Sequence, residues 1–101
     1  MRATWRLRTT GEPAAAVKFP NRSRVYDPTR RAVRFWGYHN AMESSFFVTA
    51  DALRRLQPSV QLDEASLLRT FDVHRELIHA TAVKVHARGR RGSYDLVSAD
   101  F

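Results

Sequence analysis

Two β-prone runs with a short turn between them constrain the fold of this chain more than any other feature. The runs cover residues 31–38 and 42–49, and the segment between them contains Asn40 and Ala41. Two such runs at this spacing predict an antiparallel hairpin. The sequence therefore predicts that an antiparallel sheet forms part of the fold.

The length of the loop decides which side chains of the hairpin face the core. A two-residue loop makes one face wholly apolar, with Phe35 opposite Phe46 and Val33 opposite Val48. A three-residue loop would put Phe35 opposite Ser45, because a slip of one residue moves every side chain to the other face. We therefore predict the two-residue register. The opposite face then carries Arg34, Trp36, Tyr38, Glu43, Ser45 and Phe47.

Two more strands are indicated outside the hairpin. Residues 22–27 predict a short first strand, which ends where Asp27 and Pro28 favour a type I turn. Residues 93–101 predict a closing strand through Tyr94 and Leu96. The sheet is therefore expected to have about four strands.

Capping residues indicate a short helix and a long one. Thr49 is a good N-cap for a helix over residues 50–57, which Pro58 ends. Asp63 caps a longer helix that reaches about residue 87, and Gly89 is expected to end it in a left-handed conformation. The apolar stripe of that helix comprises Leu67, Phe71, Ile78, Ala82 and Val85.

The order β-β-β-α-α-β predicts an α+β fold. The sheet is expected to be mostly antiparallel, with the short and the long helix packed on one of its faces. A chain of 101 residues is long enough for one hydrophobic core. We expect a single domain over residues 17–101, preceded by a flexible basic tail over residues 1–16 that lacks any apolar period.

The chain is strongly basic. Seventeen lysines and arginines against ten acidic residues give a formal net charge of +7, and residues 1–24 carry most of the excess. Such a charge is typical of proteins with polyanionic partners, among them nucleic acids and acidic proteins. The lack of cysteine excludes disulfides and thiolate chemistry. No apolar run approaches the ~18 residues of a membrane span, so we expect a cytoplasmic protein with no membrane contact.

Catalytic motifs do not occur in the sequence. It contains no G-x-S-x-G, no P-loop and no H-E-x-x-H. Glu76 and His79 form a single Glu-x-x-His pattern, whereas carboxylate-bridged metal sites need two copies and further carboxylates. We interpret both as solvated helix side chains, and we expect no enzymatic activity, no cofactor and no metal site.

Two groups of residues are candidates for an interaction surface. The first lies on one face of the sheet and comprises Arg34, Trp36, Tyr38 and Phe47. It is open to three interpretations: ordinary core, a surface for self-association, or a platform on which bases stack. The second lies at the end of the long helix and comprises Arg88, Arg90 and Arg91. It is either a charged loop at the negative end of the helix or a site that binds phosphates.

Several short strings of the sequence occur together in a known family. They are Phe-Pro-Asn, Tyr-Asp, Arg-Phe-Trp-Gly, Ser-Phe-Phe-Val and Arg-Gly-Arg-Arg-Gly-Ser-Tyr-Asp, over residues 19–21, 26–27, 34–37, 45–48 and 88–95. In this order they resemble a family of short bacterial proteins known only as a domain of unknown function. The resemblance covers about residues 18–101 and implies a small cytoplasmic bacterial protein with an α+β fold. It implies no catalytic or binding residue.

The sequence thus favours a small, non-enzymatic accessory or interaction domain whose partner it does not identify. Self-association of the sheet into a homodimer is one form that this interaction could take. The alternative is a weak, largely non-specific nucleic-acid-binding protein that uses its arginine clusters and its aromatic sheet face.

Overall fold

Four strands and three α-helices form the part of the chain that the structure, a computed structural model, describes: residues 16–89 and 91–101. The strands are β1 (Arg24–Asp27), β2 (Ala32–His39), β3 (Met42–Thr49) and β4 (Ser93–Leu96). The helices are α1 (Ala50–Leu56), α2 (Glu64–Val73) and α3 (Arg75–Ala87), and a 3₁₀ turn follows at Ser98–Asp100. Arg90 and all but the last residue of the predicted tail lie outside the described residues.

The strands form one sheet in the order β1-β2-β3-β4. The first two pairs are antiparallel, and β4 lies parallel to β3. A parallel neighbour requires a long crossover, and the three helices between β3 and β4 supply it. The predicted α+β fold, with its mostly antiparallel sheet of four strands, is confirmed.

The predicted register of the hairpin is also confirmed. Phe35 lies opposite Phe46 and Val33 lies opposite Val48. The loop has two residues, Asn40 and Ala41, with φ angles of 51° and 67°. Two consecutive left-handed residues are typical of the type I′ turn, whose twist matches that of the strands it joins.

The core lies between the helices and one face of the sheet, which we call the inner face. Buried side chains of β2, β3 and β4 form the sheet side of the core, and all three helices contribute to the other side. The rings of Phe35 and Phe71 lie 5.1 Å apart where β2 meets α2. The helices therefore pack on one face, as predicted. Their buried side chains include Leu53, Leu67, Phe71, Ile78 and Ala82.

The segment that precedes β1 extends the sheet beside β2. Lys18 and Tyr38 exchange two backbone hydrogen bonds of 2.9 and 2.8 Å. Val17 is buried in the core, and the Phe19 ring stacks on the His79 ring at 4.2 Å. The part of the chain just before β1 thus closes one end of the core.

The predicted long helix is divided in two at His74. This residue has φ −104° and ψ 19°, outside helical values, although its N–H still donates to the Thr70 carbonyl at 3.1 Å. The division lets α2 lie against β1 and β2 while α3 lies against β4. A straight helix would not follow the twist of the sheet in this way.

The ends of several elements differ from the predictions. β1 begins at Arg24 rather than at residue 22, and β4 ends at Leu96 because the Asp100 carboxylate accepts the Val97 N–H at 2.8 Å and turns the chain. Gly89 is not left-handed, since α3 ends in a 3₁₀-like turn in which the Gly89 N–H donates to the carbonyl of residue 86 at 3.3 Å. The N-caps Thr49 and Asp63 are as predicted.

In the described part of the chain, the helices are too short and too polar to cross a bilayer.

Candidate interaction surface

The face of the sheet opposite the helices, which we call the outer face, holds the first predicted group of residues. Residues that pair across strands point to the same side, so the pairings define two rows of this face. The first row is Val25, Arg34, Phe47 and Asp95, one residue from each strand. The second row is Trp36, Ser45 and Ser93. The buried residues of the helices belong to the inner face, so within the described residues the helices do not cover the outer face.

Phe47 is buried on the outer face although it is not part of the main core. Its exposure is 6%, and it is not among the side chains that pack together on the inner face. The Arg30 guanidinium carbon lies 4.1 Å from the centre of the Phe47 ring, and that of Arg34 lies 5.6 Å from it. Cations at such distances are attracted to the ring face. Arginine side chains thus bury this ring.

Arg34 lies between the two aromatic side chains. Its guanidinium carbon is 5.0 Å from the Trp36 ring centre, and its Nη2 donates to the Ser45 Oγ at 2.9 Å. Its Nε is buried and has no hydrogen-bond acceptor among the described residues. Arg30, Arg34, Trp36 and Phe47 therefore form one packed unit, the arginine–aromatic cluster.

The local conformation of the turn after β1 positions Arg30. The Asp27 Oδ1 accepts the N–H groups of Thr29 and Arg30 at 2.9 and 3.1 Å, and Arg31 then takes a left-handed φ of 53°. From this turn the Arg30 side chain reaches Asp95 on β4 at 3.4 Å as well as Phe47. The sequence showed only a turn residue here, so Arg30 was missed.

Tyr38 lies further along the outer face, outside the cluster. Its hydroxyl donates to the Glu43 Oε2 at 2.6 Å across the hairpin. This hydrogen bond raises the pKa of the Tyr38 phenol, because ionisation would remove the donated proton and place two negative charges together. Tyr38 and Glu43 are therefore paired with each other rather than with the arginines.

Two members of the second predicted group, Arg88 and Arg91, line one cavity of about 230 Å³ beside the end of α3. Arg88 pairs with Asp100 at 3.1 Å, which ties the end of α3 to the 3₁₀ turn. Arg91 also lines a shallow groove of about 660 Å³ on the outer face, beside Arg30 and Arg34. Arg90 lies outside the described residues. The fold thus places Arg91 between Arg88 and the arginine–aromatic cluster.

Of the two residues in the Glu-x-x-His pattern, both interpreted as solvated side chains, only one is solvated. Glu76 is exposed, but His79 is half-buried and stacked on Phe19. Burial, together with the positive charges of Arg75 and Arg22, lowers the pKa of His79 to about 4. Within residues 16–89 and 91–101, no three metal-ligating side chains lie close enough together to hold an ion.

Comparison with known proteins agrees with the fold and the resemblance. A protein family described as "Protein of unknown function (DUF1488)" matches residues 17–97. A crystal structure of a DUF1488-family protein of unknown function from Shewanella loihica PV-4 is similar, with a TM-score of 0.71 and 17% sequence identity over 80% of this chain and 91% of that one. The curated proteins contain no match. The chain, with this fold and a family match over most of its length, belongs to the DUF1488 family.

Proposed function

We propose that this chain is a non-enzymatic interaction domain of the bacterial cytoplasm, and that it self-associates as a homodimer through the outer face of its sheet. The observation that carries the proposal is the arginine–aromatic cluster. It buries Phe47 on a face of the sheet that the helices do not cover. Aromatic and arginine side chains are the residues most enriched at the centres of protein interfaces.

An exposed apolar side chain beside the cluster adds to this support. Val25 lies opposite Arg34 in the first row of the outer face, and 52% of its surface is exposed. Val25 and the cluster together extend across β1, β2 and β3, so a flat partner surface could contact all of them at once. Covering such a patch is a common reason for association.

The charges of the outer face favour a second copy of the chain as the partner. The face and its groove contain positive side chains, Arg30, Arg34 and Arg91, and negative ones, Asp27, Glu43 and Asp95. A twofold interface places the same patch against itself. A patch with both signs can then oppose each cation with an anion, whereas a wholly basic patch would repel its copy.

Nucleic-acid binding is the less favoured function. Base stacking requires an open aromatic face. One face of the Phe47 ring is covered by Arg30, and Arg34 lies over Trp36. Glu43 and Asp95 would also repel phosphates on the same surface.

The perturbed histidine is a poor candidate for a general acid or base. An imidazole with a pKa of about 4, as in His79, is a weak base at neutral pH. Efficient proton transfer requires a pKa near the working pH. The packing of His79 on Phe19 is sufficient to explain its burial.

Sedimentation equilibrium over a range of protein concentrations tests the proposal. Because β1 and β4 have four residues each, the outer face is small, and we expect a weak dimer with a dissociation constant of about 10 μM or more. Val25→Glu places a charge on the outer face and should abolish the dimer. Val73→Glu makes the same change at a side chain of α2 that is 74% exposed, and should leave the dimer intact.

Three results would contradict the proposal. The wild-type chain could stay monomeric at millimolar concentration, or the two valine variants could weaken a dimer equally. Submicromolar binding of a mixed-sequence oligonucleotide at physiological salt would instead place nucleic-acid binding first.

A further inference from the structure

A buried guanidinium with unused hydrogen-bond donors lies where α2 and α3 meet. Arg75, the first residue of α3, is 8% exposed, and its guanidinium carbon lies 4.9 Å from the centre of the Phe71 ring. Its Nη2 donates to the Asp72 Oδ1 at 2.9 Å. Its Nε and Nη1 are buried without an acceptor among the described residues. Buried polar groups normally have partners, so these two donors require an explanation.

The nearest carboxylate is already shared between two arginines. The Asp72 Oδ1 also accepts the Arg24 Nε at 2.9 Å, and the Oδ2 accepts the Arg24 Nη2 at 2.7 Å. These bonds, those from Arg24 above all, lower the pKa of the Asp72 carboxyl, which is therefore charged at neutral pH. One negative charge faces two positive ones, and it has little capacity left for the unused donors of Arg75.

A third arginine lies at the same place. Arg22 lines a cavity of about 530 Å³ together with Arg24, Asp72 and Arg75. Its charge also contributes to the low pKa of His79, which leaves that imidazole neutral at pH 7. Three guanidinium groups and one carboxylate therefore give this cavity a formal charge of +2.

We propose that this cavity, the Asp72 site, binds the phosphoryl group of a small phosphate monoester. A monoester carries a charge of about −1.5 to −2 at neutral pH, which is opposite and similar in size to the excess positive charge of the site. Arginine forks bind phosphate oxygens through pairs of parallel hydrogen bonds. The site is an open depression rather than an enclosed cavity, and its volume, within the roughly 300–1,000 Å³ of small-molecule sites, leaves room for the organic part of the ligand.

The Asp72 site adjoins the proposed dimer surface, because Val25 also lines its cavity. Arg24 pairs with Phe35 across the strands and so lies on the inner side of β1, whereas its neighbour Val25 lies on the outer side. The two proposals therefore share Val25 at their boundary but depend on different arginines, so phosphate binding is tested with variants at Arg22 and Arg69 rather than at Val25.

Titration calorimetry at constant ionic strength tests the inference, with glycerol 3-phosphate, inorganic phosphate and acetate as probes. We expect saturable binding of both phosphates and little of acetate. Tighter binding of glycerol 3-phosphate than of inorganic phosphate would identify a monoester as the ligand. The reverse order would overturn that part of the proposal. The Nε–Hε resonance of Arg75 should shift in nuclear magnetic resonance spectra as phosphate is added.

Two variants with the same change of charge distinguish a site from general attraction. Arg22→Gln removes an exposed arginine of the site and should weaken phosphate binding about tenfold without loss of the fold. Arg69→Gln removes an exposed arginine of α2 whose hydrogen bond is to Ser66, and should change binding less than about twofold. Equal weakening in both variants, or no saturable binding by the wild type, would overturn the proposal.

Discussion

At the scale of single residues, Gly37 shows why the segment before β1 can lie against the hairpin. A Cβ atom at this position would lie 2.7 Å from the Val17 Cγ2, 2.8 Å from the Phe19 Cε1 and 2.9 Å from the Phe46 Cε1. These distances are shorter than carbon atoms tolerate, so any side chain at residue 37 would have to displace its neighbours. The close approach of this segment to β2 therefore depends on glycine.

Gly37→Ala should lower the free energy of unfolding by about 1–3 kcal/mol, as overpacking of a core does. Gly92→Ala is the matched control, because a Cβ at that position meets no atom within 4 Å. Urea denaturation measures both. If the two variants were equally stable, the segment at residues 17–19 would not pack against β2 as described.

His79 should make the stability of the fold depend on pH. Its pKa is about 4 in the folded chain, below the usual ~6.5 of an unfolded histidine. The unfolded chain therefore takes up the proton first. The contribution of neutral His79 to the free energy of unfolding is complete above about pH 6.5 and is lost as the pH falls towards about 4.

Thermal melts between pH 7.5 and 4.5 test this expectation. The Tm of the wild type should fall across the interval, and the Tm of His79→Gln should fall less, because glutamine does not titrate. The lowered pKa of Asp72 affects stability mainly below this range and does so in both proteins. If the Tm of the two proteins falls equally as the pH is lowered, His79 does not take up a proton on unfolding.

At the scale of elements, the hairpin loop is built with a residue that does not favour its conformation. Ala41 has a φ of 67°, in the region that glycine adopts freely and alanine does not. Asn-Gly is the favoured pair for a type I′ turn, whereas this chain has Asn-Ala. The loop thus retains some backbone strain.

Ala41→Gly should therefore stabilise the fold by about 0.5–1 kcal/mol, since relief of strain exceeds the entropy that glycine adds to the unfolded chain. Ala80→Gly, at an exposed position of α3, should have the opposite sign and cost about 1 kcal/mol. Chemical denaturation of both variants measures the difference. Destabilisation by Ala41→Gly would show that the loop is not left-handed at this residue.

The division between α2 and α3 shows a limit of prediction at this scale. No proline or glycine lies near His74, and the stripe from Leu67 to Ala82 continues past it with helical spacing. Local preferences therefore favoured one helix. The division was decided by the packing of α2 and α3 against different strands, which is a property of the whole sheet.

At the scale of the whole molecule, the fold brings together arginines that lie far apart in the chain. The density of charge in the sequence pointed to Arg88, Arg90 and Arg91. Arg88 and Arg91 do line one cavity, but the fold also assembles groups from distant positions: Arg30 and Arg34 line a groove with Arg91 on the outer face, and Arg24 meets the Asp72–Arg75 pair. Arg24 and Asp72 are 48 residues apart in the chain. No local pattern in the sequence predicts such a contact.

The sequence by itself determined the hairpin, its register, the inner and outer faces and the two N-caps. Each of these depends on neighbours in the chain or on the strict alternation of side chains in a strand. Only the tertiary structure decided where β4 pairs, where the long helix divides and which arginines come together. Those outcomes depend on how separate elements pack, and the free energy of that packing is shared among residues that are far apart in the sequence.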